Sequence, residues 1–497
     1  MAAPPPRRQF LTLLGSSALA AGWAWSSRSE LAGSRPGALV LGAGLSGLYA
    51  AHLLEAQGWQ VTVLEARDRL GGRVATLDLD GPVEVGAQVL SPTYTRVQAL
   101  ARRLGVPIEA ARLAHGPRGE CSVCHRPGSI AGPGSGSGST LFVSGRTILE
   151  ADWPGAAHHL SDFERQVPPG RLLATYLARA NPLRDAEAWT DSVYADLDAL
   201  TLDAYLVRQG ATPEARRLMN VAPNCRSLSE VSALWALRDE QRRRAGGGMP
   251  QRVTGGNRRL VEALAASLSE PIHRSSAVTA LATGADGVAA RCADGRTFRA
   301  DVCVCTLPLP ALRRVAIDPP LEGPQREAVA QVPYTAITLA IFTVTRPFWQ
   351  EDGLPVGMWT DTPIERIFPL RDIDGDITGL MCFVDGEQAE RLDEMDEDHR
   401  RAYLLAEVER IRPAARGAVQ LRTVVSWARD PFAGGAYHAF APGQVGRLRP
   451  ALARAWGRIH FAGEHTAVRA PGMEGAVESA ERVVAEVQQV YATRRPA

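Results

Sequence analysis

Gly42, Gly44 and Gly47 follow directly on an apolar run, Ala38 to Leu41, and this junction constrains the fold more than any other stretch. The apolar run reads as a buried parallel strand. The glycines stand in G-x-G-x-x-G spacing. The first permits a tight turn, the second lets the backbone approach a pyrophosphate, and the third lets the next helix pack on the strand. That helix is expected from about Ser46 to Gln57, with its positive N-terminal end toward the phosphates and Gly58 as its stop. Gln60 to Leu64 alternates like a second strand. Glu65 at its end, 18 positions after Gly47, is placed to bind ribose hydroxyls. Strand, glycine turn, helix, strand and acid in register predict a Rossmann-type dinucleotide site.

The flanking sequence narrows the dinucleotide. Glu65-Ala66-Arg67 leads into Leu70-Gly71-Gly72-Arg73 and then Glu84-Val85-Gly86-Ala87-Gln88. Near the C-terminus stand Trp427-Ala428-Arg429-Asp430-Pro431-Phe432-Ala433-Gly434-Gly435-Ala436-Tyr437, then Ile459 to His465, then Gly472-Met473-Glu474-Gly475-Ala476. In this order the motifs resemble the flavin-containing amine oxidase family, over most of the chain after residue 36. The resemblance implies FAD, expected to be noncovalent because Ala436 offers no cysteine to link it. Its expected ligands are Gly42, Gly44, Ser46, Gly47, Glu65 and Ala66 at the first motif. Arg67, Gly72, Arg73, Gly86, Ala87 and Gln88 follow. Val278 is expected beside the adenine end, with Thr306 closing that segment. Trp427, Gly463, Glu464, Met473 and Ala476 complete the set from the C-terminal motifs. Arg67 and Arg73 can offer forked donors to the phosphates. A helix starting near Met473 is expected to aim its N-terminal amides at the flavin's pyrimidine side.

The resemblance further implies oxidation of an amine C–N bond to an imine, with hydride passing to flavin N5. Trp427 is then expected against the isoalloxazine, and Tyr437 as one wall of an aromatic cage for the amine. For each, a core aromatic is the alternative. Three positions depart from the family. Ala436 stands where some members carry the cysteine that links FAD covalently. Gly472 falls where a second cage aromatic often sits, so the cage reads as half open. The family lysine near N5 falls at about Thr338 or Leu339, and neither is charged. Electrons are expected to pass to O₂ or to a periplasmic acceptor. Oxidation of an L-amino acid, C–C desaturation and a non-enzymatic exported flavoprotein are the competing readings. The stretch after the glycine turn, Gln88 to Pro92, lacks the arginine that L-amino-acid oxidases place there.

Composition excludes more than it selects. With 55 basic and 54 acidic residues the formal charge is +1, which argues neither for nucleic acid nor for an electrostatic membrane surface. All 55 basic residues are arginine, so no lysine Schiff base or lysine proton relay exists anywhere in the chain. No metal-ligand pattern is read. Seven cysteines form no obvious disulfide framework, and Cys292, Cys303, Cys305 and Cys382 lie in strand-like runs as small hydrophobes.

Read in order, residues 1–30 are a Tat-type signal: Arg7-Arg8 precedes an apolar run too short for a confident membrane span. The expected location is therefore periplasmic or otherwise exported, with no stable span after signal removal. A homodimer is compatible with the chain. Segments 36–110, 246–310 and 426–490 are expected to build the FAD domain; segments 111–245 and 311–425 build an interleaved substrate domain. The fold class is thus α/β, a Rossmann-type domain assembled from separated pieces, with an α+β partner of mixed sheet plus helices. Within a glycine- and serine-rich loop, residues 115–140, lies Cys121-Ser122-Val123-Cys124-His125. It is the c-type haem attachment pattern, but the insert supplies no helical pocket, and a local disulfide or free thiols remain open. Helices are expected at Thr93 to Gly105, Asp196 to Arg208, Ser229 to Arg244, Arg259 to Leu268 and Asp398 to Arg412. Strands are expected at Val278 to Leu281, Gly287 to Cys292, Phe298 to Cys305, Ile337 to Val344, Gly379 to Val384 and Val419 to Val425.

Overall fold

The computed structural model describes residues 35–110, 139–156, 159–246, 250–372 and 374–494. The twin-arginine segment, Cys121, Cys124 and His125 lie outside the described residues.

β1 (Gly37–Leu41) is buried along its whole length because both faces of a parallel sheet are covered. It runs parallel to β2 (Gln60–Leu64) on one side and to Val302–Cys305 on the other, and Ile459–Phe461 completes the four strands. The sheet therefore draws on three distant stretches of sequence, as expected. α1 (Leu45–Ala56) links β1 to β2 and packs on the long C-terminal helix Gly472–Arg494. Val40, Leu48, Leu54, Val477 and Val484 meet in that core, each burial stabilising the fold by roughly 1.5–3 kcal/mol.

A second four-stranded sheet holds Thr297–Ala300, Gly287–Cys292, Val278–Gly284 and Ala316–Asp318. Phe298 to Cys305 is not one strand but two, in different sheets. The break is at Asp301, whose carboxylate accepts from Gly37 N at 2.6 Å.

The third sheet has seven strands, in the order Val419–Ser426, Ile337–Val344, Ile377–Asp385, Arg366–Arg371, Met358–Thr360, Thr140–Val143 and Arg146–Leu149. All neighbours are antiparallel except Met358–Thr360 with Thr140–Val143, so the sheet is mixed. The strands Thr140–Val143 and Arg146–Leu149 were not anticipated.

Against this sheet stands a helical layer. α2 (Ala233–Ala245) packs on Pro169–Arg179 and Leu202–Arg208 around Leu172, Trp189, Leu206 and Leu237. The helix expected over Asp196 to Arg208 is broken in two, Ala195–Asp198 and Leu202–Arg208. Thr201 restarts it, its hydroxyl capping Ala204 N at 3.0 Å. Among the described residues, no helix is long and apolar enough to cross a membrane.

Candidate active site

The glycine turn is built as its spacing demands. Gly42 has φ +96°, and a Cβ there would stand 2.9 Å from Thr306 Oγ1. A Cβ on Gly47 would stand 2.0 Å from Gly42 O, so this glycine lets α1 sit against β1. Gly44, Leu45 and Ser46 line a cavity of about 970 Å³ at the N-terminus of α1, which carries no side-chain cap. Glu65 is 3% exposed, and its carboxylate accepts from Ala43 N at 2.8 Å and Arg67 N at 2.9 Å.

The same cavity collects nearly every residue predicted for the site. Ala66, Arg67, Gly72, Arg73, Gly86, Ala87 and Gln88 line it from the first motif. Val278 and Thr306 line it from the middle of the chain; Trp427, Tyr437, Gly463, Glu464, Met473 and Ala476 do so from the end. Gly47 does not; its place is the helix–strand contact.

The two arginines are also paired within the protein. Arg67 is held by Asp430 and lies over the Phe432 ring. Arg73 donates to Glu464 Oε1 and to Ala436 O, both at 2.8 Å. Each guanidinium keeps further N–H donors beyond these bonds, and both arginines line the cavity. Glu464 becomes a junction, with Oε2 at 3.0 Å from His438 Nδ1. Burial alone would raise its carboxyl, but the His438 ring bonded to it and the Arg73 guanidinium beside it hold it well below the usual range. Neighbouring His465 is pushed down to about 3 by burial, so its ring is neutral at physiological pH.

Trp427 follows the strand Val419–Ser426, and its Nε1 donates to Val85 O at 2.6 Å across to the first motif. Burial raises the Tyr437 phenol well above its ordinary value, so it stays neutral. Gly472 opens the C-terminal helix with φ +62°, and a Cβ there would lie 3.0 Å from Tyr94 Oη. Tyr94, which sequence reading did not single out, thus stands beside the position where the cage read as open, and it lines the cavity.

On the seven-stranded sheet, Ile337 and Leu339 line the cavity, whereas Thr338 is fully buried and is not among the lining residues. Phe383 pairs in register with Leu339 on one side and Arg366 on the other. Directly paired residues share a face, so Arg366 lies on the face of Leu339. It also lines the cavity, bonded to Asp385 Oδ2 at 2.6 Å. No local pattern marks Arg366; only strand pairing brings it there.

The sequence profile described as flavin containing amine oxidoreductase matches residues 45–488. The chain belongs to this family. Among curated relatives, amine oxidase B of Canis lupus familiaris is 26% identical over 475 residues, covering 90% of this chain and 85% of the relative. The amine oxidase of Oncorhynchus mykiss is 25% identical over 474 residues, with 90% and 85% covered. Among solved structures, putrescine oxidase bound to putrescine superposes with TM-score 0.71 at 23% identity, over 92% of this chain and 99% of that one. Cyclohexylamine oxidase from Brevibacterium oxydans gives 0.73 at 21%, over 92% and 100%. This flavin amine oxidoreductase is an enzyme that uses FAD. Its residues fit that cofactor: two glycines with no room for a Cβ, a buried acid at the end of β2, and a cavity reaching from them to Trp427 and Tyr437.

Proposed function

We propose that this protein is an exported enzyme that binds FAD noncovalently and oxidises the C–N bond of an amine to an imine. The carrying observation is one cavity lined both by the glycine turn and by Trp427 and Tyr437. FAD, when bound, supplies the acceptor for the hydride equivalent lost from the carbon next to nitrogen. The chain's own part is to bind, orient and exclude water. Glu65, Gly42, Gly44 and Ser46 would hold the dinucleotide half. Trp427 is fixed by its hydrogen bond to Val85 O and offers a rigid wall. Tyr437, a neutral phenol, offers an apolar face and a polar tip to an amine. Ala436 lines the cavity without a thiol, which supports noncovalent attachment. That putrescine oxidase is solved with putrescine supports an amine as substrate.

Two further parts of the reading rest on sequence. Arg7-Arg8 ahead of an apolar run supports Tat export. An uncharged Leu339 on the cavity supports slow reaction with O₂ and transfer of electrons to a periplasmic carrier or quinone. The reading is tested by anaerobic titration of the holoenzyme with a panel of amines, following the visible flavin absorbance. Bleaching by at least one amine is expected. Loss of no colour with any of them overturns the proposal.

A further inference from the structure

The loop between the helix Pro213–Met219 and α2 carries backbone strain on the cavity wall. Ala222 and Asn224 have φ of +55° and +56°, in the left-handed region that favours glycine, and both line the cavity. Such backbone persists only where its surroundings fix it, and it gathers at functional sites. Here the surroundings are the buried pair of Arg366 and Asp385. Asn224 N donates to Asp385 Oδ2 at 3.2 Å, and Arg366 Nη1 donates to Asn224 Oδ1 at 3.3 Å. A guanidinium has no acceptor, so the amide oxygen must face it and the amide nitrogen points away. That nitrogen has no partner among the described residues and is not enclosed by protein. Asn224 thereby holds two N–H donors in a fixed orientation on the cavity.

The neighbourhood decides what those donors take. Val221 and Pro223 beside Asn224 are apolar, as are Leu339 and Phe383 on the sheet face that carries Arg366, and all four line the cavity. The charges of Asp385 and Arg366 act on the Tyr437 phenol, so that phenol stands near the pair. Donors alone repel an ammonium group. An anion is disfavoured as well, because Arg366 is already neutralised by Asp385, bonded at 2.6 Å. Burial raises the Glu365 carboxyl well above its ordinary range and the charge of Asp385 adds to the effect, so Glu365 brings no second charge. What fits a neutral donor in an apolar wall is a neutral acceptor. We propose that Asn224 sets specificity by donating to an uncharged oxygen, and that the preferred substrate is an amine carrying a hydroxyl or ether oxygen, with its nitrogen at Tyr437. This rests on the amine-oxidation reading and sharpens it.

The test uses holoenzyme and straight-chain amines of matched length: alkylamines, ω-hydroxyamines, ω-methoxyamines and ω-amino carboxylates. Asn224→Gly suits the left-handed backbone and removes the donor; Asn224→Asp keeps an oxygen facing Arg366 and turns the donor into an acceptor. At the preferred length, the methoxyamine-to-alkylamine ratio of kcat/KM should fall about 3- to 10-fold in Asn224→Gly, through KM, the range of a neutral hydrogen bond. In Asn224→Asp the methoxyamine should lose at least as much, whereas the hydroxyamine, able to donate to a carboxylate, should keep its ratio. Each ratio is taken within one variant, so any loss of folded enzyme cancels. Ratios unchanged by either substitution, equal losses of hydroxyamine and methoxyamine in Asn224→Asp, or a wild-type preference for the amino carboxylates each overturns the assignment while leaving amine oxidation standing. If no amine bleaches the flavin, the underlying reading falls too.

Discussion

Glu464→Gln removes one charge and almost no volume at the point where the first and last motifs meet. The side chain is 6% exposed and receives Arg73 Nη1 at 2.8 Å, with His438 Nδ1 at 3.0 Å on its other oxygen. Glutamine keeps one acceptor and loses the charge, which leaves Arg73 opposite a neutral group. Breaking a buried ion pair by removing one partner costs about 3–5 kcal/mol. Arg73 retains Ala436 O as a partner and is 23% exposed, so the lower end, about 3 kcal/mol, is expected. The sign with pH follows from the depressed carboxyl. Its stabilisation is complete above the ordinary value of 4.5 and is lost as pH falls below it. Urea midpoints of wild type and variant should therefore differ fully at pH 7. The gap should close below 4.5, by up to about 1.4 kcal/mol per pH unit. Arg73→Met should be similarly destabilising, and the double variant less so than the two singles summed. Equal midpoints at neutral pH, or a gap indifferent to acid, would refute the account.

The remaining expectations concern cofactor, export and acceptor. Tyr437→Ala should slow flavin reduction by amine at least tenfold with little loss of FAD, while Glu65→Ala should do the reverse, because Glu65 orders Ala43 N and Arg67 N in the turn; equal FAD loss in both would make Tyr437 merely core. Acid precipitation should release yellow flavin into the supernatant, and colour retained by the pellet would contradict noncovalent binding at Ala436. Replacing Arg7 and Arg8 with lysine should leave activity in the cytoplasm; unchanged periplasmic activity counts against Tat export. In stopped-flow, anaerobically reduced enzyme should reoxidise faster with an oxidised cytochrome c or dye than with air-saturated buffer, and O₂ rates at or above turnover would restore a plain oxidase.

Sequence reading succeeded where a residue's requirement is local. The glycine turn is legible because φ +96° at Gly42 and a 2.0 Å approach at Gly47 exclude every side chain. Ile337–Val344 is legible because a β-branched run needs no distant partner to identify it. Reading failed where the deciding partner is remote. Phe298 to Cys305 alternates like one strand, and only Gly37, 264 positions away, shows that Asp301 divides it.

Charge near Leu339 shows how such remote pairing bears on chemistry. The chain itself carries no cation at this position, since Leu339 is the residue on the cavity. Across the sheet stands Arg366, two strands away on the same face, about 10 Å at ordinary strand spacing. Arg366 is not a lone cation, however. Asp385 bonds it at 2.6 Å, and the pair is buried, with Arg366 stacked 4.6 Å over the Phe383 ring that separates it from Leu339. A matched pair presents a dipole, whose field falls off faster than that of a single charge. Stabilising a developing superoxide through that distance would need the charge unopposed. The arginine that replaces a missing lysine in composition therefore does not replace it electrostatically, and slow reaction with O₂ is the outcome expected from the pairing as much as from the absence.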